Sequence, residues 1–345
     1  MTSEISELGA TLQDRCVGCD ANPTNGQSGN SGRFSGSPLS ATVADMTDLV
    51  IEVHGLRKSY GDHEAVSGVD LSVRAGEVFA ILGPNGAGKT TTVEILEGFR
   101  ERTAGDVSVL GYDPADGDAA LKQRIGIVLQ TTGVEPYLTV AETLDQYRGY
   151  YADPLPTAAL LQLVGLNEQR DSRVRRLSGG QQRRLDVAIG LAGDPDLLFL
   201  DEPTTGFDPA ARRSAWEMVT ALRNLGKTVL LTTHYMDEAQ ALADRVAIMA
   251  RGRIVREGSP HELTGAAAST AIRFRLAGGR ELPPDFAASE SGGTFTLATD
   301  DPVETLHGLT GWALETGTDL ADLSVGQTTL EEVYLQLTRD LESSG

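Results

Sequence analysis

Residues 83–90 read GPNGAGKT, a glycine, four residues, then Gly88, Lys89 and Thr90. Gly83, Gly86 and Gly88 let successive backbone N–H groups turn inward around an anion, and a helix starting at the loop's end adds partial positive charge. Pro84, Asn85 and Ala87 complete the loop; Lys89 can reach outer phosphates, Thr90 can ligate Mg²⁺, and Thr91 leads into the helix. A second set stands at Asp201 and Glu202, directly after the apolar residues 197–200, LLFL. A carboxylate at the C-terminal end of a buried strand can hold Mg²⁺ beside a phosphate loop, and Glu202 can take a proton from an attacking water. A third set is LSGGQ at 177–181, in which Ser178, Gly179, Gly180 and Gln181 offer a hydroxyl, glycine N–H groups and a helix start. That is the physics of a second anion site.

These groups need elements to carry them. Residues 77–82 (EVFAIL) and 197–200 read as buried strands, and 91–98 and 178–191 as helices, with Ser178 as N-cap. Strands are also expected at 49–53, 69–74, 125–129, 228–232 and 246–250, and helices at 138–150, 157–164, 209–225 and 236–243. Short apolar strands alternating with helices predict an α/β fold with a mostly parallel sheet covered on both faces. From residue 265 the texture changes to an acidic stretch with four basic and thirteen acidic residues and no lysine. There strands are expected at 271–276, 294–298 and 312–316 and helices at 302–309 and 329–341, which makes a small α+β appendage without evident chemistry. Residues 1–46 are rich in Gly, Ser, Asn and Thr and cannot bury enough surface to offset their ordering entropy, so disorder is expected. Met46 stands where the folded pattern begins, and a start there would leave that extension out.

The formal charge of −20 means the bulk surface should repel nucleic acid and anionic lipid. No apolar run reaches transmembrane length and no basic-flanked apolar leader is legible, which points to the cytoplasm. Cys16 and Cys19 form a C-x-x-C without further ligands nearby or a βαβ context, so they read as reduced bystanders.

The phosphate loop, LSGGQ and the Asp201-Glu202 strand, in that order, resemble the ATP-binding subunit of an ABC transporter over roughly residues 49–260. The remaining motifs of the family follow in register. Tyr60 matches the aromatic that stacks on adenine, Gln130 the glutamine-loop residue that also approaches Mg²⁺, Asp208 the loop after the catalytic strand, and His234 the switch histidine. One departure is Phe207, where the family usually has an aliphatic residue. The resemblance implies a P-loop ABC ATPase domain at 47–264, with an antiparallel β part and a helical subdomain at 131–176, and a C-terminal accessory domain at 265–345. It implies ATP and Mg²⁺ as ligands and Glu202, His234 and Gln130 as the hydrolytic set. It also implies a head-to-tail homodimer, because each copy carries one phosphate loop and one LSGGQ.

The stretches at 96–100, 130–144 and 201–209, with TTLEEVYLQLT at 328–338, look like the daunorubicin and multidrug-resistance branch of type-2 ABC exporters. That branch implies a separate integral-membrane permease, attachment to the cytoplasmic face of the membrane, and efflux of a drug-like or antibiotic substrate. The competing readings are a soluble ABC ATPase acting on ribosome or DNA and a nucleotide-binding regulatory module. The first is disfavoured by charge and by the lack of a second nucleotide domain in the sequence, the second by the intact Glu202 and His234.

Overall fold

The structure, a computed structural model, describes residues 49–128, 133–265, 270–276, 282–283, 286–327, 329–334 and 337. The expectations for residues 1–46, Cys16, Cys19, Met46 and Gln130 lie outside the described residues.

The chain opens with a hairpin, β1 (Leu49–Tyr60) and β2 (His63–Arg74), turning at Gly61 with a φ of 57°. β3 (Val78–Leu82) leads through the phosphate loop into α1 (Lys89–Leu96), followed by β4 (Ala104–Val109), α2 (Ala119–Arg124) and β5 (Ile125–Val128). A helical stretch holds α3 (Val140–Arg148), α4 (Thr157–Val164) and α5 (Gly179–Gly190). Then come β6 (Leu197–Asp201), α6 (Pro209–Asn224), β7 (Thr228–Thr233), α7 (Met236–Leu242), β8 (Arg245–Ala250), β9 (Arg253–Gly258) and α8 (Pro260–Gly265). The last part contains β10 (Thr270–Leu276), β11 (Ala288–Ser291), β12 (Thr294–Thr299), α9 (Pro302–Thr316) and β13 (Leu320–Gln327).

The central sheet runs β5-β6-β7-β3-β8-β9, parallel except for the antiparallel edge strand β9. Its inner strands are apolar throughout because side chains alternate between two covered faces. Phe79, Ile81, Phe199, Leu230 and Met249 face one core, shared with α1 and the antiparallel sheet β2-β1-β4. Val78, Ala80, Leu82, Leu200, Leu231 and Ile248 face the other, shared with helices α3 to α7. Each fully buried Leu, Ile or Phe contributes about 1.5–3 kcal/mol, so the double cover fixes the register of every inner strand.

The acidic C-terminal region forms a four-stranded antiparallel sheet, β11-β12-β10-β13, with α9 packed on Ile272, Phe274 and Leu297 through Leu309. Residues 312–316, expected as a strand, are instead the last turns of α9. Asp301 caps that helix, Pro302 takes its first position, and Leu309 and Ala313 repeat at helical spacing on its buried face. The segment at 330–334 is helical, and its Leu330 and Val333 are buried in the main helical core while Glu332 pairs with Arg273 of β10. No described helix is long and apolar enough to cross a membrane.

Strand β5 and helix α5 meet at two glycines. A Cβ on Gly126 would lie 2.1 Å from the carbonyl oxygen of Gly190 and 2.7 Å from Leu198 Cδ1. Backbone cannot yield cheaply there, so Gly126→Ala should destabilise the fold by about 1–3 kcal/mol. Urea denaturation of the two proteins measures this; an unchanged midpoint would mean that α5 can lift off the sheet freely.

Candidate functional site

The phosphate loop leaves β3 at Leu82 and is clamped on both sides. Gly83 N–H donates to the Thr233 carbonyl at 3.2 Å, and a Cβ at Gly83 would stand 2.3 Å from the Met249 carbonyl oxygen. Gly88 adopts a φ of 104° and passes so near Ala65 that a Cβ would lie 2.6 Å from its carbonyl oxygen. Within the loop, Ala87 N–H donates to Pro84 O at 3.2 Å. Gly88 is also the N-cap of α1, and no side chain caps that helix, so its first-turn N–H groups remain available to an anion. Lys89 is buried and donates to the carbonyls of Gly83 at 2.9 Å and Pro84 at 3.2 Å.

The two acids arrive from β6, one strand removed from β3, with β7 between them. Thr232 on β7 is the register partner of Asp201; its hydroxyl donates to Asp201 Oδ1 at 2.5 Å, which leaves Oδ2 open. Glu202 sits in a left-handed conformation, φ 45°, that a non-glycine residue adopts only when its surroundings compel it. Here its N–H is held by the Thr232 carbonyl at 3.2 Å and hydroxyl at 3.0 Å. Its side chain accepts from the Thr205 hydroxyl at 3.0 Å, with Lys89 Nζ at 3.6 Å and His234 Nδ1 at 3.3 Å from Oε1. Burial works to raise the Glu202 carboxyl, but Thr205, His234 and Lys89 together outweigh it and keep it below the usual carboxylate range. Burial conversely pulls the Lys89 ammonium down, against the opposing pull of Glu202 and Asp201. The His234 ring lies tilted at 39° against Tyr235, 4.1 Å between ring centres, and Arg212 covers the Tyr235 ring at 4.5 Å.

Lys89, Thr90, Thr91, Asn85, Asp201 and Glu202 line one cavity of about 530 Å³, with Tyr60 at its mouth. Tyr60 is half-exposed, and Lys58 and Arg100 lie 5.2 and 5.4 Å from its ring centre. Ser178, Gly179, Gly180 and Gln181 line a different cavity, of about 610 Å³, together with the 205–208 loop. Ser178 and Gln181 form a reciprocal capping box, with Ser178 N–H donating to Gln181 Oε1 at 2.9 Å and Gln181 N–H to Ser178 Oγ at 3.3 Å. Asp208 caps α6, accepting from Ala210 and Ala211 N–H at 2.9 Å each. The two cavities share no lining residue, so one chain does not bring its two anion sites together. Thr232 and Thr205, which hold the acids, escaped the sequence reading. Their role depends on strand register and a turn, and neither produces a motif.

Glu97, at the C-terminal end of α1, is a further acid that no motif marks. Burial first, then the nearby charges of Asp201 and Glu94, raises its carboxyl to about 8. It is therefore neutral in the folded chain at a pH where the unfolded chain would ionise it. In magnesium-free protein its cost to stability is absent below the ordinary carboxyl range near 4.5, grows as pH rises, and levels off above about 8. Glu97→Gln should flatten that window, gaining at most roughly 1.4 kcal/mol per pH unit over the wild type. Denaturation at pH 5 and pH 8 checks it, and an equal gap between the two proteins at both values would contradict the assignment.

The ABC transporter family pattern matches residues 66–205, and a C-terminal domain pattern described as ABC transporter domain-containing protein-like matches residues 270–329. The chain is 40% identical over 304 residues to the daunorubicin/doxorubicin resistance ATP-binding protein DrrA of Streptomyces peucetius, covering 84% of this chain and 92% of that one. It is 43% identical over 219 residues to the Nod factor export ATP-binding protein I of Ralstonia nicotianae, covering 62% and 68% of the two chains. Among solved structures it is similar to cbiO1 of Clostridium perfringens, part of the ABC transporter complex cbiONQ, with a TM-score of 0.57, 29% identity and coverage of 63% and 90%. It is likewise similar to the ATP-binding cassette MJ0796, solved as a dimer bound to ADP and phosphate, with a TM-score of 0.54, 26% identity and coverage of 61% and 98%. A phosphate loop facing a strand-end Asp-Glu pair, with LSGGQ on a separate face, therefore belongs to an ATP-hydrolysing subunit of the ABC transporter family, in the branch of the drug-resistance and Nod factor export ATPases.

Proposed function

We propose that two copies of this chain close head to tail around two ATP molecules and drive export through a separate membrane permease. The observation that carries this reading is the separation of the two anion sites. α1 and α5 each present a helix start in its own cavity, so a phosphate held at Lys89 can meet Ser178 and Gly180 only if they come from another copy. In this reading Tyr60 stacks on the adenine, and residues 83–91 cradle the phosphates.

The donor set beside the loop fits Mg²⁺: the Thr90 hydroxyl and the free oxygen of Asp201 lie in the same cavity, with Gln130 assigned by resemblance as the third contact. Mg²⁺ there would neutralise charge on the phosphates. Glu202 accepts the proton of the attacking water, a role suited to a carboxylate kept ionised by Thr205, His234 and Lys89. Before nucleotide arrives, Lys89 is parked on the carbonyls of Gly83 and Pro84, and the γ-phosphate draws it away from them. His234 contacts that phosphate, and Asp208 orders the loop that faces the partner. Because the phosphate bridges the copies, ATP favours the closed pair and its hydrolysis releases it.

The transported molecule is drug-like or an antibiotic, a reading supported by similarity to a daunorubicin/doxorubicin resistance protein over most of both chains. The chain then sits at the cytoplasmic face of the membrane, bound to its permease. Copurification with a multi-span membrane protein supports this assignment, whereas cosedimentation with ribosomes would replace it.

Two substitutions separate binding from hydrolysis. Lys89→Ala should weaken ATP binding by about a hundredfold or more, as measured by calorimetry, since a buried charge-assisted contact to phosphate is lost. Glu202→Gln should keep binding, lose about 10²–10⁴ in turnover and accumulate the ATP-bound pair in light scattering. Brisk hydrolysis by that variant would remove Glu202 from the role.

A further inference from the structure

Arg183 lies on α5, five positions beyond Ser178, and is buried to 7% exposure. Its guanidinium donates from Nε to the carbonyl of Pro203 at 3.3 Å and from Nη2 to the carbonyl of Asp201 at 3.4 Å. Those two carbonyls bracket Glu202. Asp186 lies 3.9 Å from Nη1, and burial, which pulls the Arg183 pKa down, is opposed by Asp186, Asp201 and Glu238. The guanidinium thus lies on the underside of the turn that carries Glu202.

The opposite side of that turn is held by β7, through Thr232 and the Glu202 N–H. Glu202 stays in its left-handed conformation because it is gripped from both sides. Beneath Arg183, a cavity of about 10 Å³ is also lined by Thr204, Trp216 and Glu238. Glu238, from the helix that follows His234, is fully buried, and neither carboxyl oxygen meets hydrogen-bond geometry with another described residue, although Thr233, Thr204 and Trp216 are close enough to influence it. Thr204 Oγ1 and Trp216 Nε1 are unpaired in the same way. These polar groups gather at the junction of α5, α6, α7 and the turn that carries Glu202, on the side that Arg183 occupies.

We propose that Arg183 is a positioning residue that couples the two nucleotide sites of the dimer. The N-terminus of α5 serves the partner's phosphate, and Arg183 rides on the same rigid helix. A small shift of α5 on phosphate binding is therefore delivered to the backbone on either side of this chain's own Glu202. Occupancy of one site then adjusts the catalytic carboxylate of the other. This rests on the shared-site reading above and adds to it a path between the sites.

The test is the ATP dependence of hydrolysis by the full-length chain and by Arg183→Met, with the thermal midpoint recorded on the same samples. Wild type should be cooperative, the first ATP tightening the second site by about fivefold or more, and the variant should show a clearly lower Hill coefficient. A residue that only packs would lower the midpoint and leave cooperativity intact, and that result overturns the proposal. If wild type itself neither pairs with ATP nor responds cooperatively, the shared-site reading fails and takes this inference with it. Should Arg183→Met not fold, Arg183→Lys carries the test. It keeps the charge but loses the fork that spans two carbonyls, so cooperativity should drop; cooperativity equal to wild type overturns the proposal.

Discussion

Lys89 and Glu202 are opposite charges held 3.6 Å apart and largely out of water, and neither would be stable there alone. A lone buried ammonium or carboxylate loses its hydration and tends to neutralise; here Thr205, His234 and Lys89 keep Glu202 below the usual carboxylate range, and Glu202 opposes the downward pull of burial on Lys89. This pairing depends on strand order. With β6, β7 and β3 adjacent and parallel, the C-terminal ends of β3 and β6 open onto the same cavity. The apolar double cover of the central sheet thereby serves the chemistry as well as stability, because a one-residue slip of β6 would exchange Asp201 and Glu202 between faces.

The second constraint is spatial. Both candidate anion sites are built the same way, from a helix start with glycine beside it, and the fold places them in cavities with no lining residue in common. α5 is packed on β5 through Gly126 and Gly190 without a gap, so LSGGQ cannot swing over to its own phosphate loop. An incomplete site in one chain and a matching incomplete site elsewhere on it suit an isologous pair, in which each copy would complete the other's site. Belonging to a family with a dimeric solved member is consistent with that logic.

The candidate site is legible in the sequence because its groups are local: GPNGAGKT, LSGGQ and LLFLDE each place them within a few residues. The inner strands were legible for a related reason, since burial on both faces leaves an unbroken apolar run. The edges were harder to read. β9 reads RIVREG and β4 reads AGDVSV, and both look like loops because one side meets water or a partner strand alone. Residues 312–316 read as a strand in sequence because a short apolar run has no clear period until the whole helix from Pro302 is considered. Thr232, Thr205, Arg183 and Glu97 were invisible because each matters through a neighbour distant in sequence or through burial, neither of which has a local signature.

The shared site can be tested by mixing two crippled proteins. Lys89→Ala removes the phosphate-loop half. Gly180→Asp adds a carboxylate at the α5 start, where a Cβ meets only Ala211 Cβ at 3.9 Å, so the fold tolerates it. Each variant alone should be inactive, and the mixture should hydrolyse ATP, because a mixed pair contains one intact Lys89 facing one intact LSGGQ. A mixture no more active than its parts would contradict the account.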